Sequence, residues 1–427
     1  MAAAGRAAGY APRVAALPDA SIRRLRGVPW DGLRGLGPSL RSPLAEVLGG
    51  APAERVLDRF LRSRPDLDAS QRRAAAEAVF GVGLWRRRLR HHAGDDASPL
   101  VLLASLVREL GGRTDAGELC GVAAADLRPA VAPPGGLADH YSLPDWLAAV
   151  LEREAGAEAA ALADALGQPG PVFLRVNRRR ADRRSLARRL EAEGVATRPG
   201  RLAPDALEVV SPRPNLLALP AFREGLFEVQ DEGSQLLGEL VGTLPGDEVL
   251  DLCAGAGGKA LQIAAAGARR VHACDPDAAR LGRLRARAAR AGASDALAVH
   301  GPAVPDGLRA DRAIVDAPCS ELGALRRGPD QRHRIDPATF AELPRLQLAL
   351  LARAARHVRP GGRLVYATCT LRREENEGVA LAFERAHPGF ARSLVPSPAL
   401  ATPEGFLRTW PHRHGTDGFF AAAWHRT

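Results

Sequence analysis

The sequence predicts an α/β protein whose largest part is a mostly parallel sheet with helices on both faces, preceded by a small α+β module and an all-helical module. Three observations carry this. After Glu228, short apolar runs ("DEVLDLC", "RRVHACD", "ALAVHG", "RAIVDAP", "GGRLVYATC") alternate with stretches of helical spacing such as 277–291 and 338–357, the pattern of strands joined by crossover helices. A Gly-rich turn follows the first of these strands. Between Pro52 and about Leu127 the apolar residues recur at helical spacing.

In chain order, residues 1–48 are rich in Ala, Gly, Pro and Arg with weak periodicity and are expected to form a poorly ordered extension. Residues 49–135 are expected to form the helical module, because Val56, Leu57, Phe60 and Leu61 recur at helical spacing and Val79, Phe80, Val82, Leu84, Trp85 and Leu89 follow in a segment studded with arginines. "RPAVAPPGG", 128–136, reads as its linker. Residues 139–230 begin with a helix around Asp145–Leu166 and continue with the strand "PVFLRVNRRR" and the helix "SLARRLEAEGV". Between Pro171 and Phe227 there are 12 Arg against 6 Asp+Glu, an excess that suits phosphate contacts and marks Arg175, Asn177 and Arg178 as candidates. Residues 231–427 form the α/β domain.

Among 427 residues, 59 Lys+Arg against 49 Asp+Glu leave a formal charge of +10, which favours a polyanionic partner, although a GC-rich genome also raises Arg and Ala. All cationic side chains but one are Arg, and the one lysine, Lys259, lies in the Gly-rich turn, where its survival suggests that a compact ammonium is needed. The five cysteines are scattered, odd in number and without a CxxC pair, so reduced cytoplasmic thiols are expected and neither a disulfide framework nor a metal site. No run reaches eighteen apolar residues and the N-terminus has no continuous apolar core, so neither secretion nor a membrane span is expected.

The chemistry gathers at the carboxyl ends of the strands. In "LDLCAGAGGKA", Asp251 precedes a loop of small residues, Cys253, Ala254, Gly255, Ala256, Gly257 and Gly258, that lets a ligand approach the backbone, and Asp275 ends the next strand, where a carboxylate can take the hydroxyls of a ribose. This indicates an adenosine-bearing cofactor, and the spacing leaves a dinucleotide and S-adenosylmethionine open. "VDAPCS" and "YATCT" then deliver Cys319 and Cys369 to the same edge. Two thiols beside the cofactor suit a pyrimidine C5-methyltransferase, since C5 of cytosine becomes nucleophilic only after a thiolate adds to C6. Cys120 and Cys274 are expected to be core residues, with Cys274 pointing away from Asp275.

"VQDEGSQLLGELV", "VLDLCAGAGGK", "VDAPCSELGALRRGPD", "YATCTLRREENE" and "DGFFAAAW", in this order, resemble the Sun/Fmu group of bacterial RNA cytosine-C5 methyltransferases, relatives of the Nop/Sun enzymes. "LDRFLRSRP…AVFGVGLWRRRL" is similar to the NusB-like RNA-binding module of the small-subunit rRNA members. The resemblance implies a Rossmann-like class I methyltransferase domain, S-adenosylmethionine as cofactor, small-subunit rRNA as partner and a monomer. It implies Cys369 as nucleophile, Cys319 as the helper in product release, Cys253–Lys259 and Asp275 around the cofactor, Asp316 at the adenosine or base edge, Lys259 neutralising nearby acids, and Arg326 and Arg327 near RNA. The family commonly has an acid where this chain has Pro302, with Asp306 as a substitute, and a small residue where it has Glu321. A non-catalytic ribosome-assembly factor and, less well, a DNA cytosine methyltransferase are the alternatives.

Overall fold

The longest helix, Ala69–Ala93, starts where Asp68 accepts a hydrogen bond from the Gln71 amide while the Gln71 side chain accepts one from the Asp68 amide, and it stops at Gly94 with φ +95°. Its Ala74, Ala78, Val79, Val82 and Trp85 are fully buried against helices Arg41–Leu48, Ala53–Ser63 and Pro99–Ser105. The computed structural model describes residues 17–211, 214–395 and 397–427. Within it, residues 17–48 are not a loose extension: Leu25, Trp30, Leu33, Leu40 and Leu44 are buried in this same core, while residues 1–16 lie outside the described part. The segment advances by short 3₁₀ turns (Arg24–Gly27, Trp30–Leu33, Gly37–Leu40), whose three-residue repeat does not produce the 3.6 periodicity sought in the sequence. Two of its glycines are there for contact, since a Cβ on Gly37 would lie 2.5 Å from the Cys120 carbonyl oxygen and one on Gly32 2.8 Å from that of Ser70.

The small module is a four-stranded antiparallel sheet, order β2-β3-β1-β4, of β1 (Phe173–Val176), β2 (Thr197–Pro199), β3 (Ala206–Val209) and β4 (Phe227–Val229), with helix Arg183–Ala192 burying Leu186 and Leu190 against it. The helix expected at 145–166 is two, Asp145–Ala155 and Ala159–Leu166, broken at Gly156 with φ +53°. Both pack on Leu322, Leu325, Phe340 and Leu371 of the α/β domain and not on the small sheet.

That domain's sheet runs β10-β12-β9-β8-β5-β6-β7, from β5 (Glu248–Asp251), β6 (Arg270–Cys274), β7 (Leu297–His300), β8 (Ala310–Asp316), β9 (Val358–Thr368), β10 (Phe390–Ser393) and β12 (Phe420–Arg426), with β11 (Leu407–Arg408) beside β12. β5 to β9 are parallel, and β12 is antiparallel to β9 and β10. Alternate residues serve opposite layers: Val249, Val271, Ile314 and Val365 face helices Glu232–Leu240, Gly258–Ala265 and Ala278–Ala291, while Leu250, Cys274, Val315 and Leu364 face Leu343–Ala355 and Glu377–Ala386. β5 lies between β6 and β8, so the winding reverses there and a crevice opens beyond the carboxyl ends of β5 and β8. No helix among the described residues is long and apolar enough to cross a membrane.

Candidate active site

β8 and β9 are paired in parallel with Asp316 opposite Ala367, and the Ala317 amide extends the ladder to the Ala367 carbonyl at 2.9 Å. The two chains therefore leave the sheet side by side, one through Cys319 and the other through Cys369, and their sulfurs share a hydrogen bond at 3.4 Å. The Gly323 amide donates to the Cys369 carbonyl at 2.9 Å, and a Cβ on Gly323 would lie 2.0 Å from the Gly418 carbonyl oxygen, so only glycine fits where these loops meet. The Cys319 hydrogen bond, burial and the charges of Asp316 and Glu321 push the Cys369 thiol well above its ordinary range, so it rests protonated and becomes a nucleophile only when a proton is removed.

A carboxylate without a role in the sequence reading holds both loops. Glu375 is fully buried and accepts from the Ser320 amide at 2.9 Å, the Ser320 hydroxyl at 2.6 Å, Gln347 at 3.0 Å and Arg372 at 3.0 Å. Ser320 in turn meets the Thr370 hydroxyl at 2.6 Å, and Asn376 donates to the Thr370 carbonyl at 3.0 Å. Glu375 and Asn376 thus tie the residue after each cysteine into one buried hydrogen-bond network. In the sequence Glu375 lies within "YATCTLRREENE", which carries only the resemblance. Glu321, expected only as added bulk and charge, has φ +56°, a left-handed position that costs a non-glycine residue about 1–3 kcal/mol and holds a carboxylate beside the thiols.

On the cofactor side, Gly255 (φ +52°) and Gly257 (φ +86°) turn the chain from β5 into helix Gly258–Ala265, and a Cβ on Gly257 would meet Leu284 at 2.0 Å. Asp275 braces the turn, accepting from the Gly255 amide at 2.9 Å with one oxygen and from the Asp277 amide at 2.8 Å with the other. Lys259, 8% exposed, donates to Asp316 at 2.6 Å and reaches the Ser234 hydroxyl at 3.4 Å. A cavity of about 740 Å³ runs from this loop past Asp275 and Asp316 to both cysteines. Asp251 lines it with both carboxylate oxygens buried and without a partner among the described residues, and burial, then the charge of Asp316, raises its pKa to about 7. A backbone cradle, two strand-end acids and an orphaned carboxylate match a ligand with a ribose and a cationic amino group, so the residues present fit S-adenosylmethionine. Burial drives Cys253 far up and Cys274 to about 11, so neither competes as a nucleophile.

Of the arginines chosen from the sequence for RNA, Arg175 and Arg326 are buried, whereas Arg178 and Arg327 are exposed and ion-paired. Arg175 is 2% exposed and donates to the Gly258 carbonyl at 2.6 Å, bracing the cofactor loop from behind, where Arg287 also donates to the Ala256 carbonyl at 2.7 Å. Asn177 is buried and donates to the Gly225 and Ala291 carbonyls, each at 2.8 Å. Arg178 pairs with Asp205 at 2.6 Å. Arg326 and Arg327 form a cluster with Asp417 (2.5 and 2.8 Å) and Asp231 (3.7 and 2.6 Å), in which Arg326 is buried. Arg175, Asn177 and, through the Pro171 carbonyl at 2.8 Å, Arg327 tie the small module to the α/β domain, because a buried polar group must find acceptors and the nearest are protein carbonyls. Asp306 is exposed and does not line the cavity, whereas Pro302 does.

Such a sheet, with a cofactor cradle at its switch point and two thiols beyond the neighbouring strand ends, defines an S-adenosylmethionine-dependent methyltransferase. Residues 241–425 match the family described as 16S rRNA methyltransferase RsmB/F, and 143–215 match the ferredoxin-like domain of RsmF/B-like methyltransferases. The chain is 34% identical over 299 residues to the probable ribosomal RNA small subunit methyltransferase B of Synechocystis sp., covering 67% of each chain. It is 37% identical over 290 residues to the ribosomal RNA small subunit methyltransferase B of Xylella fastidiosa, covering 65% of this chain and 67% of that one. The chain belongs to the RsmB/F family. Its fold is shared with the crystal structure of PH0851 (TM-score 0.73, 24% identity, 96% of this chain and 99% of that one) and with NSun6 from Pyrococcus horikoshii with SFG (TM-score 0.59, 22% identity, 66% and 98%).

Proposed function

We propose that the protein methylates C5 of a cytosine in small-subunit (16S) rRNA through a covalent cysteine–C6 adduct. The observation that carries this is the 3.4 Å contact between Cys319 and Cys369 at the mouth of the cofactor cavity, and the names of the relatives supply the RNA. Once deprotonated, Cys369 adds through Sγ to C6, and the C5=C6 electron pair shifts into the ring so that C5 becomes nucleophilic. S-adenosylmethionine, when bound between the 253–259 loop and Asp275, supplies the methyl group. Cys319, beside the new S–C6 bond, assists removal of the C5 proton; the electrons of the C5–H bond re-form C5=C6 as the Cys369 sulfur leaves. Lys259 holds the Asp316 carboxylate at the base edge. A stacked cytosine hides the face that Cys369 must reach, so the target is single-stranded or flipped out. Bisulfite sequencing of 16S rRNA from a strain lacking the gene is the test. One methylated cytosine is expected to disappear and to return with the wild-type gene but not with Cys369→Ala; an unchanged pattern overturns the reading.

Two results are expected at the cofactor site. Asp275→Ala removes a carboxylate that orders the loop and faces the ribose, and should weaken S-adenosylmethionine binding by about 1.5–3 kcal/mol, about ten- to a hundred-fold, in a calorimetric titration. Unchanged affinity removes Asp275 from the site. The second is a pH dependence. The folded-state pKa of Asp251, about 7, lies above its unfolded value, so its contribution to the stability of the cofactor-free protein is present below the unfolded pKa and is lost as pH rises through 7. A cationic amino group favours the ionised form instead, so affinity should climb between pH 5.5 and 7 by up to about tenfold per unit. Asp251→Asn should flatten that climb and raise the melting temperature of the cofactor-free protein at pH 8; a wild-type profile in this variant would remove Asp251 as the cause.

A further inference from the structure

A cavity of about 540 Å³ lies between the helical module and the α/β domain, outside the catalytic cleft. Helix Ala69–Ala93 contributes Arg86 and Arg90, one turn apart, a like-charge pair that costs helix stability unless something neutral or anionic separates them. Neither has a carboxylate within 4 Å among the described residues, and Arg86 only reaches the His333 carbonyl at 3.2 Å. The opposite wall carries Arg332, 1% exposed, with Nη1 buried and unpartnered. Its neighbour Asp330 is spent elsewhere, on the Ala53 amide at 3.1 Å and on Arg334 at 3.2 Å. Of the two acids in the cavity, Asp139 holds Arg87 at 2.5 Å and Asp95 is exposed. The walls are locked together, since His333 also contacts the Leu84 carbonyl at 3.2 Å, so the cations are held in place without a ligand. At the rim, Trp146 keeps part of its indole exposed while its ring packs edge-on against Phe340 at 5.8 Å.

The position points to the occupant. Segment Pro329–Phe340 supplies Arg332 and His333 to this cavity, and the next helix, Leu343–Ala355, supplies Leu346, Leu350 and Arg353 to the catalytic one. The two cavities are thus lined by consecutive stretches of the chain, a relation that a continuous nucleic acid strand can use and a free small anion does not require.

We propose that this cavity is a composite RNA-backbone site, built by both modules, in which Arg86 and Arg90 hold a phosphodiester of the strand whose target base enters the cleft and the buried Arg332 adds positive charge behind them. This rests on an RNA substrate, as argued above.

The test is filter binding of the full chain to a 16S rRNA transcript without cofactor, across a salt series. The double variant Arg86→Gln/Arg90→Gln should bind about tenfold more weakly at 150 mM salt, with the slope of log K against log salt reduced by about 1.4, two single-strand contacts. Arg283→Gln/Arg285→Gln removes the same charge from exposed positions of helix Ala278–Ala291 and should change affinity by no more than about twofold. In methylation assays the first double variant should raise the KM for RNA and leave kcat at saturating RNA and S-adenosylmethionine affinity at wild-type values. Wild-type binding by Arg86→Gln/Arg90→Gln, or a loss no larger than the control's, overturns the site. Because this readout needs no methyl transfer, a strain whose 16S rRNA methylation is unaltered by loss of the gene would sink the cytosine reading and leave the binding result standing.

Discussion

Cys369→Ala is expected to abolish methylation and to form no protein–RNA adduct, whereas Cys319→Ala is expected to attack, transfer methyl and then fail to let go. The two sulfurs lie 3.4 Å apart, so either could be proposed as nucleophile on distance alone, and the variants must differ in kind to separate them. Without the Cys369 thiolate nothing adds to C6, and turnover should fall on the order of 10⁴-fold or more, the scale of deleting an enzyme nucleophile. Without Cys319 the C5 proton loses its helper, elimination stalls and a denaturant-resistant complex accumulates. Each variant is incubated with substrate RNA and cofactor and run on a denaturing gel. A shifted band in Cys369→Ala and none in Cys319→Ala would reverse the roles, as in a DNA cytosine methyltransferase. Methylation intact in both variants, with no adduct, would remove covalent catalysis altogether.

Lys259→Arg should cut kcat by about ten- to a hundred-fold although the charge is kept. The lysine reaches Asp316 at 2.6 Å from a position 8% exposed, with Ser234 at 3.4 Å. A guanidinium is broader, demands planar fork geometry and must push either Asp316 or the cofactor loop aside, and a displacement of about 1 Å in a positioned group is enough for a loss of that size. Single-turnover methylation with saturating cofactor checks this. A fully active arginine variant would show that the chain's one lysine survived by chance.

Arginines paired with distant elements show where reading along the chain stops being informative. Arg326 and Arg327 sit in a motif that looks like a basic loop, yet Arg326 is answered by Asp417, 91 residues away, and both by Asp231. Arg175 is answered by the carbonyl of Gly258, 83 residues on. Whether a cation faces solvent depends on acceptors that arrive from other elements, and charge counting does not see them. Arg86 and Arg90, in contrast, lie in the Arg-rich helix of the module that resembles an RNA-binding one, and their lack of carboxylate partners emerges only when the modules are assembled.

What the sequence determined by itself is what short-range stereochemistry encodes. The short apolar runs of β5 to β9, the glycines that permit φ +52° and +86° after β5, and the acid ending β6 are local properties, legible without knowing any neighbour. They place both cysteines and Asp275 at one edge, because parallel strands put all their carboxyl ends on the same side. Tertiary structure alone decided that β8 and β9 are adjacent, bringing the sulfurs to 3.4 Å, that Glu375 clamps both loops, and that residues 17–48 pack into the helical core. Strand order, burial and the pairing of charges are set by free energies summed over contacts distant in sequence, and no window of neighbouring residues contains that sum.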